Sequence, residues 1–394
     1  MRAGRRYRRS GWMVVWALAG TTAAHAATLT IGVLSRADDE RLEPRQLALA
    51  YPGHPGGPVL QAAEMAVQET GFELDAAKLK VKLEAVSVAD AAEARAALLK
   101  LEKAGASAVL LDLPASWIAS AAPAVKTPLL NVGDAADGLR LGCVANLFHT
   151  LPSERMRADA LAQALMARRW QRVLVLHGTE PDDAPRLAQV QAAIKRYALK
   201  PVAVKPFKRS ADPRERDLAN PLLLTGNLDY DAVWVIDSSG EFARSLPYRT
   251  ALPRPVVGDA GLLALAWAPH FERFGAPQLA RRFSRHAGRE MTSADWAAWM
   301  ATKAVLQAAL EAPAAPNAAQ VQKALSRPDF TLDGFKGVRL SFRAWDRQLR
   351  QTLLLTDGQG VIGTAPVEGV LHPRNALDTL GLDAPESACK AAPP

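Results

Sequence analysis

Cysteine is nearly absent: the 394 residues contain two, Cys143 and Cys389. Two thiols cannot make a structural zinc site, and no Cys-x-x-Cys exists to serve redox chemistry. Aromatic residues are sparse at 6%, and no basic stripe is interleaved with them, so nucleic acid is not an expected partner. The chain also lacks a Gly-x-Ser-x-Gly elbow, a phosphate loop, a His-Glu-x-x-His pair and a Gly-x-Gly-x-x-Gly turn. Neither catalysis nor a cofactor is expected. The seven histidines are dispersed, and His54 and His177 are the two placed to face a crevice. Beyond the first 26 residues no apolar run reaches membrane length.

Those first 26 residues read as an export signal. Arg2, Arg5, Arg6, Arg8 and Arg9 precede an apolar stretch from Gly11 to Ala24, and Ala24-His25-Ala26 supplies a small-x-small cleavage site. Arg8-Arg9 hints at twin-arginine export, but the residues after it fit general secretion better. No cysteine follows the site, so no lipid anchor is expected. The five leader arginines account for five units of the formal net charge of +8, and the remainder is only weakly basic. A soluble periplasmic protein starting near Ala27 is the expectation. In an oxidising compartment an even pair of cysteines favours a Cys143–Cys389 disulfide, the alternative being two unpaired small hydrophobes.

Short β-branched or apolar runs alternate with alanine-rich helical stretches, the pattern of parallel sheets covered by helices. Strands are expected at Thr28–Leu34, Lys80–Val86, Ala108–Leu111 and Pro128–Val132, with helices at Val59–Thr70, Ala89–Ala104 and Ala115–Val125. After an extended crossing at Leu147–Thr150 the alternation restarts. Helices at Ser153–Arg168, Pro185–Tyr197, Pro213–Leu224 and Glu241–Leu246 separate strands at Arg172–His177, Val202–Pro206, Ala232–Ile236 and Val256–Gly258. Helices at Ala276–His286 and Ser293–Glu311 follow, the second with Trp296 and Trp299 facing a core. Residues Gly337–Phe342 and Thr352–Leu355 read as one β-hairpin, and 35–57 as a long loop of the kind that binds ligands or stays disordered. An alanine/proline linker lies at Ala312–Pro316.

The handover from strand Thr127–Asn131 through Leu147–Thr150 to helix and strand resembles the crossover of type I periplasmic solute-binding proteins, the leucine/isoleucine/valine-binding kind. Gly334-Phe-Lys-Gly337, followed by Phe342, resembles that family's recurring glycine hairpin. The stretches 369–381, 385–389 and 143–150 resemble a narrower group, ABC-transporter binding proteins found with PQQ-dependent alcohol dehydrogenase systems. The resemblance implies two Rossmann-like α/β lobes joined by a hinge: residues 27–145 with 260–330, residues 146–259 with 331–365, and a tail from 366 to 394. It implies a monomer that captures a small molecule between its lobes and presents it to the membrane permease of an ABC transporter. Two other readings keep the fold, a ligand sensor and an accessory binding protein for a PQQ-dependent alcohol oxidation system.

Ligands of open α/β sheets bind at the carboxyl ends of the strands, and there the sequence repeats one residue type. Asp112, Asp134, Asp237 and Asp259 each end or follow a strand. As a set they would favour a cation or an ammonium-bearing solute; singly, each could be a helix cap, Asp237 before Ser238-Ser239-Gly240 most of all. The resemblance implies that Ser116, at a helix start, meets a ligand carboxylate, and that Asp259 in Gly258-Asp-Ala-Gly261 meets its ammonium. Ser116 could also be a plain N-cap. Gly133-Asp-Ala-Ala136 lacks the hydroxyl, and the neighbouring loops lack the aromatics, that suit an ordinary branched amino acid.

Overall fold

The computed structural model describes Met1 and residues 27–49, 52–312 and 316–389. The expected leader after Met1, most of the alanine/proline linker and the last residues of the tail lie outside them.

The first half of the chain runs β1 (Ala27–Arg36), α1 (Pro44–Leu49), α2 (Leu60–Glu69), α3 (Gly71–Ala76), β2 (Leu79–Val88), α4 (Ala91–Lys103), β3 (Ala108–Asp112), α5 (Ala115–Ala121), β4 (Leu129–Asn131), α6 (Gly138–Leu141) and β5 (Leu147–His149). Its strands form a parallel sheet in the order β2-β1-β3-β4-β5. Both faces of that sheet are covered, so successive residues of one strand enter different cores. In β3, Leu110 packs with Ile31, Trp267 and Trp296, whereas Val109 and Leu111 pack with Leu98, Leu101 and Ile118.

The second unit runs α7 (Glu154–Ala167), β6 (Arg172–His177), α8 (Asp183–Arg196), β7 (Lys200–Pro206), α9 (Pro221–Thr225), β8 (Ala232–Ile236) and β9 (Val256–Gly258). Its parallel sheet has the order β7-β6-β8-β9. Val175 packs against Leu161, Leu165 and Ile194 on one face, and Leu174 and Val235 against the stacked Phe207 and Phe242 on the other. The chain then passes through β10 (Leu263–Leu265) and returns to the first lobe with α10 (Ala276–Ala287), α11 (Ser293–Leu310), α12 (Ala318–Leu325), β11 (Leu332–Asp333) and β12 (Arg339–Leu340). It closes with β13 (Leu353–Thr356) and β14 (Val361–Ala365), which pair antiparallel beside β10.

Several expectations are corrected. Leu147–His149 is the fifth strand of the first sheet, paired with β4, rather than the start of the second lobe. Residues 331–349 also belong with the first lobe: Leu332, Leu340, Phe342 and Leu349 share a core with Phe148 and Trp296. The β13–β14 hairpin lies with the second lobe through Leu353, Leu355 and Ala365. Gly337–Phe342 and Thr352–Leu355 do not form one hairpin, because β12 pairs with β11 and β13 with β14. The expected helix Pro213–Leu224 splits into 3-10 turns over Pro213–Ala219 and the short α9. Pro221 lacks an N–H and forces Asn220 into an extended conformation, from which Asn220 caps the new helix. The expected helix Glu241–Leu246 is a 3-10 segment at Ala243–Tyr248. Helix α12 was not expected; it starts with a capping box formed by Asn317 and Gln320.

Candidate functional site

The carboxyl ends of the two parallel sheets face one another across a cleft of about 710 Å³ that continues into a second compartment of about 570 Å³. Segments that follow strand ends of both sheets contribute. Arg36 ends β1, Pro114 follows β3, Asp134 follows β4, Asp182 follows β6, Ser238 follows β8 and Asp259 follows β9. Leu263, Ala264 and Leu265 of β10 form part of the lining between the lobes. Among the described residues no phenylalanine, tyrosine or tryptophan lines either compartment.

Four of the five residues expected to meet a ligand, Ser116, Asp134, Asp237 and Asp259, line the larger compartment together. The fifth, Asp112, does not reach it. Its side chain is buried and accepts a hydrogen bond from Arg41 Nη2 at 2.8 Å. Gly133 packs so tightly over it that an added Cβ would stand 2.3 Å from Asp112 Oδ1.

Each of the three expected aspartates that line the cleft has a donor within the protein. Asp134 accepts from the backbone N–H of Ala115 (2.7 Å) and of Ala136 (2.8 Å), so the first N–H of α5 is already taken by a carboxylate. Pro114 is the N-cap of that helix, and Ser116 sits one position inside it, exposed. The plain-cap reading of Ser116 therefore does not hold. The cap reading of Asp237 does: its Oδ2 accepts from Phe242 N and Ala243 N, each at 2.9 Å, and its Oδ1 from Ser239. Asp259 Oδ2 accepts from Asp237 N at 2.7 Å, and its Oδ1 is paired with Arg186. The turn that presents Asp259 requires Gly258, whose φ is 114° and whose absent side chain lets the backbone lie against Val235 O.

The expected rim of carboxylates is present, but arginines neutralise part of it. In the first lobe Arg36 and Arg41 bind Asp39, and Arg41 also binds Asp112. Burial works against the Asp39 carboxylate, but the hydrogen bonds and charge of Arg41, with Arg36, hold it below the usual carboxylate range. In the second lobe Arg157 and Arg186 flank Glu154, and Arg186 reaches on to Asp259. Burial likewise works against ionised Glu154, and the two arginines outweigh it. Asp137 at the edge of the cleft goes the other way, its burial raising it above the ordinary range despite Arg140 and Ser153.

His54 lines both compartments as expected, and burial, with the charges of Arg41 and Arg244, depresses its proton affinity. His177 does not line them; its ring contacts Gly178 O. The arginines are what sequence reasoning missed. Arg157 and Arg186 lie in the first turn of α7 and of α8, where a helix following a strand aims its opening residues at the crevice, and that placement was the available signal.

No protein-family model and no curated protein matches this sequence. The structure is similar to a periplasmic binding protein from Burkholderia mallei (TM-score 0.67, 12% identity, 93% of this chain and 99% of that one). It is similar to the leucine-, isoleucine-, valine-, threonine- and alanine-binding protein of Brucella ovis in its closed conformation (0.67, 13%, 84% and 89%). It also resembles a solute binding protein of an ABC transporter from R. palustris in complex with benzoate (0.66, 12%, 92% and 100%). At such identities the likeness is one of architecture: the chain has the α/β fold of type I periplasmic binding proteins, with parallel sheets flanked by helices in two lobes.

Proposed function

We propose that this protein is the periplasmic substrate-binding component of an ABC transporter, capturing a small solute between its lobes and delivering it to a membrane permease. The observation that carries the reading is the cleft, lined from both lobes by the carboxyl ends of two parallel sheets and large enough for a small molecule. Export with cleavage near Ala27 is part of the proposal. Among the described residues no helix is long and apolar enough to cross a membrane. Ser116, Asp134, Asp237 with its neighbour Ser238, and Asp259 are proposed to meet the solute, with Arg157 and His54 beside them. The sensor and PQQ-linked accessory roles rest on sequence resemblance, and nothing in the geometry of the cleft favours them.

Of the proteins of this fold named above, one binds leucine, isoleucine, valine, threonine and alanine and another is in complex with benzoate. A thermal-shift screen should therefore include those two classes, 3,4-dihydroxybenzoate and small amines. A ligand that binds only the folded state stabilises it by about 2.7 kcal/mol when present at 100 times its dissociation constant. The expected outcome is at least one compound that raises Tm and also reduces the radius of gyration in X-ray scattering, as hinge closure requires. A hit that leaves the molecule's size unchanged would count against capture between the lobes.

A further inference from the structure

The C-terminal segment does not trail from the second lobe; it is wedged against both. On the second-lobe side, Asp159 of α7 accepts the N–H of Gly381 (2.8 Å), Arg196 of α8 donates to Gly381 O (3.0 Å), and Arg155 holds the Glu386 carboxylate at 2.7 Å. On the first-lobe side, the contacts come from 343–350, the stretch that bridges β5 through His149 and Gln348. There the fully buried Arg343 donates to Leu377 O (2.9 Å), Leu380 O (2.6 Å) and Asp378 (2.9 Å), while Trp345 donates to Leu382 O (3.0 Å). The segment then ends in a covalent bond, the Cys143–Cys389 disulfide, between α6 and β5 of the first lobe.

We propose that Ala376–Cys389 is a hinge clamp, a tie between the lobes beyond their three backbone crossings, which restricts how far they separate. The crossings are the stretches 150–153, 262–266 and 350–353. The reach of the clamp can be stated. Three peptide steps separate Glu386, held by Arg155 of the second lobe, from Cys389, fixed to the first. Fully extended they span about 10 Å. The disulfide adds 5.2 Å between Cα atoms and the Arg155 and Glu386 side chains add more; an opening that carries α7 beyond that reach must break the hydrogen bonds from Glu154 N to Ala135 O and from Arg155 N to Asp137 Oδ2, then the Arg155–Glu386 pair, and peel Gly381 from Asp159. Gly381 cannot easily be replaced there: it has φ 86°, and an added Cβ would stand 2.6 Å from Met156 Cγ of α7. The clamp crosses beside the cleft itself, since Leu141 and Glu154, both near its anchor points, line the larger compartment.

The test uses the full-length mature protein without ligand. Two variants slacken the disulfide-bonded end of the clamp and leave the Arg343 and Trp345 contacts in place. Cys143→Ser/Cys389→Ser removes its covalent end, and insertion of Gly-Ser-Gly-Ser between Glu386 and Ser387 keeps the disulfide but lengthens the tie by about 13 Å. X-ray scattering should give both variants a larger radius of gyration and a broader distance distribution than the oxidised wild type. Circular dichroism should show that the helix content is unchanged. If the serine variant fails to fold, the insertion variant decides alone. Folded variants with the wild-type radius would overturn the disulfide-bonded tie as the limit on opening. That outcome leaves solute capture standing, because the ligand screen decides capture separately.

Discussion

At the residue scale, Arg186 links two carboxylates of the cleft, paired with Asp259 and 3.5 Å from Glu154. Asp259 in turn accepts the N–H of Asp237. Removing the carboxylate leaves a nearly buried guanidinium with one partner fewer and an amide with none. Asp259→Ala should therefore destabilise the unliganded protein by about 1–3 kcal/mol, and Asp259→Asn by less, because an amide oxygen can still accept from Asp237 N. Chemical denaturation of the three proteins checks the order, and an Ala variant with the wild-type midpoint would refute it.

Asp159 gives a pH dependence of definite sign. Burial raises its pKa from the ordinary 3.8 to about 6, although Arg196 and the Gly381 amide pull the other way. A carboxyl that holds its proton more tightly folded than unfolded contributes most at low pH. That contribution is lost as pH rises through the window between 3.8 and about 6. Asp159→Asn keeps an oxygen for Gly381 N and has no proton to lose. Its Tm minus that of the wild type should increase from pH 4 to pH 7, and a difference independent of pH would show that Asp159 does not titrate in this window.

At the element scale, α11 shows how local signals and packing agree. Thr292 is its N-cap, and the Asp295 side chain returns to Thr292 N at 2.8 Å, completing a capping box. Asp295 is buried and also takes two hydrogen bonds from Arg289, at 2.7 and 2.8 Å. Thr292→Ala should cost about 1 kcal/mol, and Asp295→Ala about 3 kcal/mol, because it strands Arg289 as well. Urea melts compare the two directly, and equal losses would mean that the Arg289 pair contributes nothing. The helix was readable in advance from a long alanine-rich stretch, and Trp296 and Trp299 were placed inside, as they are.

Strands such as Ala108–Asp112 and Ala232–Ile236 were readable for a related reason: fully buried parallel strands leave short unbroken apolar runs. The segment 331–349 was not. Leu332, Leu340 and Phe342 contribute single side chains from near-irregular backbone, so no period marks the core they join. The site was half legible in the same way. Strand ends locate Asp134, Asp237 and Asp259 in the sequence, but the partners of strand-end carboxylates depend on side chains distant in the chain. Arg41 to Asp112 and Arg186 to Asp259 are such pairs.

At the scale of the whole molecule, the two lobes are interleaved rather than sequential. The core of the first draws on residues between Leu29 and Phe148 and again between Ala266 and Leu354, and that of the second on residues between Met156 and Ala264 and again between Leu353 and Leu380. Strand β13 belongs to both: Leu354 enters the first core, and Leu353 and Leu355 the second. Contacts between such distant parts of the chain are slow to form. A chain emerging from its N-terminus reaches residue 258 with both parallel sheets synthesised and one face of each still incompletely covered. Trp267, Trp296 and Trp299 must still arrive to cover the first sheet, and β13 to seal the second. The order of synthesis thus keeps the nascent chain from completing either lobe until nearly all of it has been made, a property in keeping with the proposed export, which would thread the polypeptide through a membrane pore before it folds.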